Sequence, residues 1–363
     1  MKVFLIPLTI LVGILIITAI IFNSYSPISV PSSSSSSNNA NKNDAKGAIW
    51  KSIDAGRTFE PKSQMTSDSK LNLSKNVIQL VNGANNDIVA ITGKGGVFRT
   101  TDWGNSWNVL LSSEMSTTTI GINPNKTEEI YVGSIESKRA RLYKTANLGK
   151  NDGWREIYTE PKSGTAFVSI KIDPKNDNIV YALLSSGVLL KSYNKGLDWV
   201  LASNLKNIVI GLDIDSNNPD IIIIIATTKV YISKDGGFSF EESSPKLKSQ
   251  AVTGSQINSF AINPNNSQEI YLGSTGELIR SQDQGKTWEN LRILTPNLSL
   301  PINNINVSSS DSNVLYYNVG TVLYASSNRG ETWNTSDLSS IVKNISDILI
   351  DREKSDIIYL SSN

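Results

Sequence analysis

Carboxylates, tyrosines, lysines and arginines are the side chains of this sequence that could carry acid–base or ionic chemistry. The 363 residues include 34 Lys and Arg, 33 Asp and Glu, no His and no Cys. This composition excludes Ser-His-Asp and Cys-His nucleophiles, zinc sites built on His or Cys, and disulfides. The net charge of +1 does not indicate a nucleic-acid binder. Glycoside hydrolysis, which needs two carboxylates about 5–10 Å apart, is the enzyme class that remains.

The carboxylates do not identify a catalytic pair. Most of them lie in turn positions, such as Glu129, Asp173 and Asp177, and their spacing pairs no two of them. A calcium site would need clustered carboxylates, and the aspartates that recur along the chain stand far apart in sequence. We therefore predict no catalytic residue, no metal site and no cofactor. The residues favour a protein that is not an enzyme, with a glycoside hydrolase as the alternative.

One short motif recurs seven times, with its first residues 41 to 48 positions apart. It reads Ser/Thr-x-Asp/Asn-x-Gly and is followed by an aromatic residue. Gly permits positive φ, and Ser, Thr, Asp and Asn side chains bond the backbone of their own turn. Three of the seven Asp positions hold Asn, so the position requires hydrogen bonding and not proton transfer. The residues interpreted as structural are Ser52, Asp54, Gly56; Thr100, Asp102, Gly104, Trp107; Thr145, Asn147, Gly149, Trp154; Ser192, Asn194, Gly196, Trp199; Ser233, Asp235, Gly237; Ser281, Asp283, Gly285, Trp288; and Ser326, Asn328, Gly330, Trp333.

Four short strands are predicted in each repeat. Strand A resembles the run from Ile120 to Pro124, and strand B resembles the run from Glu129 to Gly133. Strand C precedes the motif, and strand D begins at its aromatic residue. Short β-branched and aromatic runs separated by Asn, Pro and Gly are typical of strands and turns. Four strands in about 45 residues are typical of one propeller blade.

The two ends of the repeat region predict how the ring closes. The chain from Gly47 supplies strands C and D without a preceding A and B, whereas its last residues supply A and B alone. Pairing the two halves completes a seventh blade and leaves no open edge. The sequence therefore predicts an all-β, seven-bladed β-propeller of four-stranded blades over residues 47–363, with the motif in the C–D hairpins and the last blade closed by N- and C-terminal strands.

The seven motifs resemble the Asp-box, also called the BNR repeat, over residues 47–363. Families that share the box include sialidases, xyloglucanase-type glycoside hydrolases, sortilin-type receptors and photosystem II stability/assembly factor-like proteins. A single seven-bladed ring is most similar to the assembly-factor group, which implies a role in the assembly of membrane complexes. The arginine triad that a sialidase needs cannot be assigned among the nine Arg residues.

The N-terminal residues 1–23 are predicted to form a transmembrane helix. Val3 to Phe22 carries no charge, and twenty residues at about 1.5 Å each span the core of a bilayer. The flank after Phe22 is a poor cleavage site, so we expect an uncleaved signal anchor. Residues 24–46 are rich in Ser and Asn and are predicted to be a disordered linker. Lys2 favours a cytoplasmic N-terminus, so we expect a single-pass protein whose propeller is extracytoplasmic, in the periplasm or at the cell surface.

Candidate binding residues are expected on the face opposite the boxes, by analogy with other Asp-box propellers. The B–C loop from Gly133 to Ala140 carries Lys138 and Arg139, just before Arg141. Such a basic cluster on a near-neutral protein would bind an acidic partner. Weaker candidates of the same kind, in the long D–A loops, are Lys246, Lys248 and Arg292.

The function predicted from these features is a non-catalytic scaffold for protein binding or for assembly of a membrane complex. We expect a protein partner or a glycan, a membrane contact through the N-terminal helix, no nucleic acid and a monomeric propeller. Two alternatives remain open at this point. One is a carbohydrate-active protein, either a glycan-binding module or a glycoside hydrolase, and the other is a surface receptor or adhesin.

Overall fold

The computed structural model describes residues 48–66, 73, 76–83, 87–93, 96–112, 115–148, 153–243, 256–293 and 300–362. The predicted transmembrane helix and the predicted linker lie outside these residues. Within the described residues, no helix has the length and apolar character needed to cross a bilayer.

The described strands form seven antiparallel sheets of four, one per blade. Blade 1 consists of β3 (Val77–Asn82), β4 (Ile88–Thr92), β5 (Gly96–Thr100) and β6 (Asn108–Ser112); blade 2 of β7 (Ser116–Ile122), β8 (Ile130–Glu136), β9 (Arg139–Thr145) and β10 (Arg155–Ser163); blade 3 of β11 (Phe167–Ile172), β12 (Val180–Leu184), β13 (Val188–Ser192) and β14 (Val200–Asn204); blade 4 of β15 (Val209–Ile214), β16 (Ile222–Ala226), β17 (Val230–Ser233) and β18 (Glu241–Ser243); blade 5 of β19 (Ser259–Ile262), β20 (Ile270–Ser274), β21 (Glu277–Ser281) and β22 (Glu289–Leu291); blade 6 of β23 (Ile302–Val307), β24 (Leu315–Val319), β25 (Val322–Ser326) and β26 (Asn334–Asp337); and blade 7 of β27 (Ile345–Ile350), β28 (Ile358–Ser362), β1 (Ile49–Ser52) and β2 (Glu60–Pro61).

Blade 7 closes the ring as the sequence predicts. Its sheet has the order β2-β1-β28-β27, so strands from the two ends of the propeller lie side by side. The register pairs Ile49 with Ser361 and Trp50 with Leu360. The all-β, seven-bladed architecture of four-stranded blades is therefore confirmed.

The hydrophobic core lies between the blades. The B strands β4, β12, β16, β20, β24 and β28 are buried along all their residues, because both faces of each sheet are covered by neighbouring blades. One cluster joins Val89 and Ile91 of blade 1 to Ile120 and Val132 of blade 2. Fully buried β-branched residues explain why these runs form strands that pack on both faces.

The A strands of all seven blades surround a central channel of about 680 Å³. In six blades the A–B pair contains a register shift near the start of the A strand. Such bulges redirect single side chains away from the regular alternation of a sheet. In blades 1 and 7 the residue at this shift reaches the backbone of the next A strand, as described below.

Candidate functional site

The repeated turn uses its polar side chains to fold the C–D hairpin. In the first copy, the Ser52 hydroxyl donates to Asp54 at 2.7 Å and accepts from the Gly56 N–H at 2.9 Å. Asp54 also accepts from the Thr58 N–H at 2.9 Å and from the Thr58 hydroxyl at 2.6 Å. These bonds, led by that from the Thr58 hydroxyl, lower the pKa of Asp54 to about 2. A carboxylate held ionised by its own turn is not suited to proton transfer.

In the copies of the turn that hold Asn in place of Asp, the Asn side chain makes equivalent hydrogen bonds. Asn194 accepts from the Asp198 N–H at 2.8 Å, and its amide donates to the Asp198 carboxylate at 2.8 Å. Asn328 makes the same two bonds with Thr332, each at 2.9 Å. Asn194 and Asn328 therefore accept from the backbone of their own turns, as Asp54 does. Gly149 of the third copy lies outside the described residues.

The turn also joins neighbouring blades through one carbonyl group. The residue before the central Gly has positive φ, for example Lys195 at 59° and Arg329 at 57°. The Lys195 carbonyl accepts from Lys144 Nζ of blade 2 at 3.0 Å, and the Arg329 carbonyl accepts from Arg280 Nη1 of blade 5 at 2.9 Å. Lys191 of blade 3 donates in the same way to Gly236, at 3.0 Å. Several of the cations in strand C are therefore structural.

Two carboxylates of blades 2 and 3 meet at one lysine. Lys195 Nζ lies 2.6 Å from Asp177 Oδ2 and 3.7 Å from Glu129 Oε2. Glu129 is only 2 % exposed. It pairs with Lys144 at 2.9 Å and accepts from the Tyr131 hydroxyl at 2.6 Å. Burial would raise the pKa of Glu129, but the bonds from Tyr131 and Lys144 hold it below its usual value. The cluster is an ion-pair network between blades, since both carboxylates are already occupied.

The predicted B–C loop from Gly133 to Ala140 is instead an extended hairpin, so that expectation was wrong. Residues 133–136 continue β8, and Glu136 pairs with Arg139. Ser137 and Lys138 form the two-residue turn, with φ of 48° and 65°. Two successive positive φ values are typical of a type I′ turn, whose twist matches that of the flanking strands. The hairpin therefore carries Lys138 and Arg139 at its tip as exposed residues.

Arg141 lies below the tip and is engaged within the sheet. Its Nη1 is 2.6 Å from Glu156 Oε2 and 3.9 Å from Glu136 Oε2. The bond to Glu156 raises the pKa of Arg141 further. Glu136 also accepts from the Tyr143 hydroxyl at 2.8 Å. The structure thus separates the predicted cluster into two exposed tip residues and one internally paired arginine.

Lys162 is a tip cation that sequence reasoning missed. It is exposed near the end of β10, beside the turn, where the Gly164 N–H donates to the Lys138 carbonyl at 3.1 Å. Lys138, Arg139 and Lys162 form no ion pair within the described part of the chain. We call these three residues the tip cations. The signal in the sequence was the long run from Arg155 to Ser163, which forms a nine-residue D strand.

The other binding candidates do not join this group in the structure. Arg292 is exposed after β22, and its carbonyl accepts from Trp333 Nε1 at 3.2 Å. Lys246 and Lys248 lie outside the described residues. The tip cations are therefore the basic group that the structure brings together.

Comparisons with known proteins support the fold. The family model Sortilin-Vps10, described as "Sortilin, neurotensin receptor 3", matches residues 228–362. No curated protein matches the chain. Among solved structures, a GH74 enzyme from Niastella koreensis has a TM-score of 0.62 at 17% identity, and the GH74 xyloglucanase from Xanthomonas campestris has 0.63 at 14%. Each covers 80% of this chain, which spans 52% of either GH74 chain.

A second group of solved structures is similar over nearly their whole length. YCF48 from Cyanidioschyzon merolae has a TM-score of 0.62 at 14% identity and covers 79% of this chain and 95% of its own. A structure of YCF48 bound to D1 peptide has a TM-score of 0.61 at 14% identity, with 79% and 93% covered. At these identities the likeness shows the fold alone. The predicted resemblance to sortilin-type, xyloglucanase-type and assembly-factor propellers is confirmed by these matches.

Proposed function

We propose that this chain is a membrane-anchored, extracytoplasmic scaffold that binds an acidic protein segment through the tip of blade 2. The observation that carries the proposal is the projecting hairpin with its tip cations. β8 and β9 have seven residues each, whereas the B and C strands of the other blades have four or five. Two additional residues at about 3.3 Å each raise the tip about 7 Å above the neighbouring hairpins.

The electrostatic state of the tip supports a charged partner. Three exposed cations without internal partners are fully available, and the carboxylates Glu136 and Glu156 below them are already bound to Arg141. Complementary charge speeds association and selects among partners more than it adds affinity. The fold likeness to YCF48, which has been solved bound to D1 peptide, supports a protein partner.

In the same proposal, the repeated turns form the rigid frame that holds the blade 2 hairpin. We assign them as Asp-boxes, on the hydrogen bonds of Ser52 and Asp54 and their equivalents. Anchoring is assigned on the uncharged run from Val3 to Phe22. Membrane fractions should contain protein that starts at Met1, and a mature N-terminus near Ser24 would overturn the anchor.

Charge reversal at the tip tests the binding function. In the triple variant K138E/R139E/K162E, affinity purification from the protein's own membranes should lose a partner that the wild type retains at low salt. The matched control is K126E/K286E/K354E, which changes the net charge equally but uses exposed lysines of the opposite, box-bearing face. Retention of every partner by the tip variant, or equal loss in the control, would refute the proposal.

Screens with aryl-glycosides and xyloglucan oligosaccharides test the carbohydrate alternative. That alternative rests on the fold likeness to GH74 enzymes. We expect no turnover. Reproducible hydrolysis that is abolished by one Asp or Glu substitution would replace the scaffold with a glycoside hydrolase.

A further inference from the structure

The central channel has two chemically different walls. The wall formed by blades 6 and 7 is polar and includes Asn303, Asn304, Asn306, Ser346 and Asp347. The wall formed by blades 3 and 4 is mainly apolar and holds one ion pair, in which Lys171 Nζ lies 2.9 Å from Asp213 Oδ1. A volume of about 680 Å³ falls within the range of small-molecule sites, roughly 300–1,000 Å³.

Asp347 is the unpaired carboxylate of this channel. Its Oδ2 accepts from the Leu80 N–H of blade 1 at 2.7 Å, and its Oδ1 accepts from the Ile348 N–H at 2.9 Å. Among the described residues, no Lys or Arg forms an ion pair with it. Each oxygen therefore has one backbone donor and no counter-charge.

The bond to Leu80 does not require a charge. In blade 1, the neutral Gln79 occupies the equivalent place and its Oε1 accepts from the Ile120 N–H at 3.1 Å. The equivalent positions in the other six blades hold Gln79, Thr119, Ser169, Gly211, Ser259 and Asn304, and none of them is charged. A neutral amide thus accepts the equivalent inter-blade hydrogen bond one blade away. The negative charge of Asp347 is therefore not needed for its bond to the Leu80 N–H.

We propose that the central channel binds a small organic ammonium ion, with Asp347 as its counter-ion and the asparagine amides of blade 6 as further acceptors. A buried or partly buried charge is normally matched by an opposite charge, and an ammonium supplies both the charge and N–H donors. A bare metal ion fits less well. Such an ion needs six or more closely spaced oxygens, and the described residues contain no cluster of three acidic, His or Cys side chains.

The protonation state of Asp347 gives the proposal a measurable consequence, which is proton release on binding. Burial raises its pKa to about 7, although the backbone N–H groups of Leu80 and Ile348 oppose the shift. The strands β3 and β23, which flank β27, contain no titratable side chain. The strands β24 and β28 contribute only tyrosines, and the Lys171–Asp213 pair lies across the channel. A bound ammonium would favour the ionised carboxylate, so binding near pH 7 should release a proton.

Isothermal titration calorimetry of the full chain tests the proposal, with 1,4-diaminobutane as the probe. We expect the affinity to rise between pH 5.5 and 8 and the apparent heat to depend on the ionisation enthalpy of the buffer. Asp347→Asn keeps an acceptor for the Leu80 N–H and should lower the affinity at least tenfold. The control Ser259→Ala removes a bridge to the Ile302 carbonyl, 2.8 Å long, and should bind as the wild type does.

Three outcomes would overturn the proposal. These are equal binding by wild type and Asp347→Asn, equal binding of uncharged 1,4-butanediol, and binding of calcium or potassium with no binding of the diamine. The thermal unfolding midpoint of Asp347→Asn shows whether the ring remains closed. The site shares no residue with the tip cations, so either proposal can fail without the other.

Discussion

Trp107 should contribute more to stability than any other aromatic residue of the repeated motif, because it fastens blade 1 to the closing blade. It is 0 % exposed, and its Nε1 donates to the Lys62 carbonyl at 2.7 Å. Its own N–H donates to Gln64 at 2.9 Å, and its carbonyl accepts from the Thr66 N–H at 3.0 Å. The segment from Lys62 to Thr66 follows β2 of blade 7. Three hydrogen bonds and a buried indole therefore join blade 1 to the segment that follows β2 of blade 7.

The substitution Trp107→Phe removes the indole donor and part of the ring while the backbone bonds remain. Leaving the Lys62 carbonyl without its donor costs about 1–2 kcal/mol. A void of about 40 Å³, at roughly 24 cal/mol per Å³, adds about 1 kcal/mol. We therefore expect Trp107→Phe to lower the free energy of unfolding by about 2–3 kcal/mol.

Trp333→Phe is the matched control, since it changes the same motif position in blade 6. Trp333 is only partly buried, and its Nε1 bond to the Arg292 carbonyl is exposed and longer, at 3.2 Å. Water can replace that donor, so the cost should stay below about 1 kcal/mol. Urea unfolding followed by far-UV circular dichroism measures both values and checks that the m-value is unchanged. Equal costs for the two variants would refute the assignment of Trp107 as a residue that joins blade 1 to blade 7.

Two further substitutions test the channel wall. Burial raises the pKa of Asp347 to about 7, against about 3.9 in the unfolded chain, so its contribution to stability is full below about pH 4 and is lost as the pH rises through 7. The urea unfolding midpoint of Asp347→Asn should therefore vary less between pH 5 and 8 than that of the wild type. Parallel pH profiles for the two proteins would contradict the raised pKa. A Cβ at position 211 would lie 2.7 Å from the Phe260 ring. Gly211→Ala should therefore lower the free energy of unfolding by about 1–3 kcal/mol, and the second substitution Phe260→Leu should restore most of it. A double variant as unstable as Gly211→Ala would show that the two positions do not compete for space.

The repeat pattern was sufficient to predict the architecture because each blade repeats the same local signals. Seven turns of one type, each preceded and followed by short β-branched runs, leave few folds that bury those runs. The composite blade also followed from the sequence, since the chain from Gly47 lacks the strands that its last residues supply. Its register, which pairs Trp50 with Leu360, is the outcome of that closure.

The partners of individual side chains could not be predicted in the same way. The pairing of Arg141 with Glu156 depends on two shifts in the β9–β10 register, which no local pattern shows. The partner of Asp347 is Leu80, 267 residues earlier in the chain. In sequence, Asp347 resembles other polar residues of the A strands, and only ring closure makes it partly buried and unpaired. Local periodicity therefore identifies elements, whereas the charge state of a site depends on contacts between distant blades.

The distribution of charge between the two faces separates structural from available groups. On the face that carries the repeated turns, Asp54 accepts its hydrogen bonds from its own turn, and the Lys195 carbonyl accepts from Lys144 of the neighbouring blade. On the opposite face, the tip cations project without internal partners, and Asp347 meets only neutral groups. Charges that no internal partner occupies remain available to a ligand or partner, and the partly buried Asp347 would also gain from a counter-charge. That reasoning directs the search for partners to the tip of blade 2 and to the channel wall, and away from the seven conspicuous aspartate and asparagine turns.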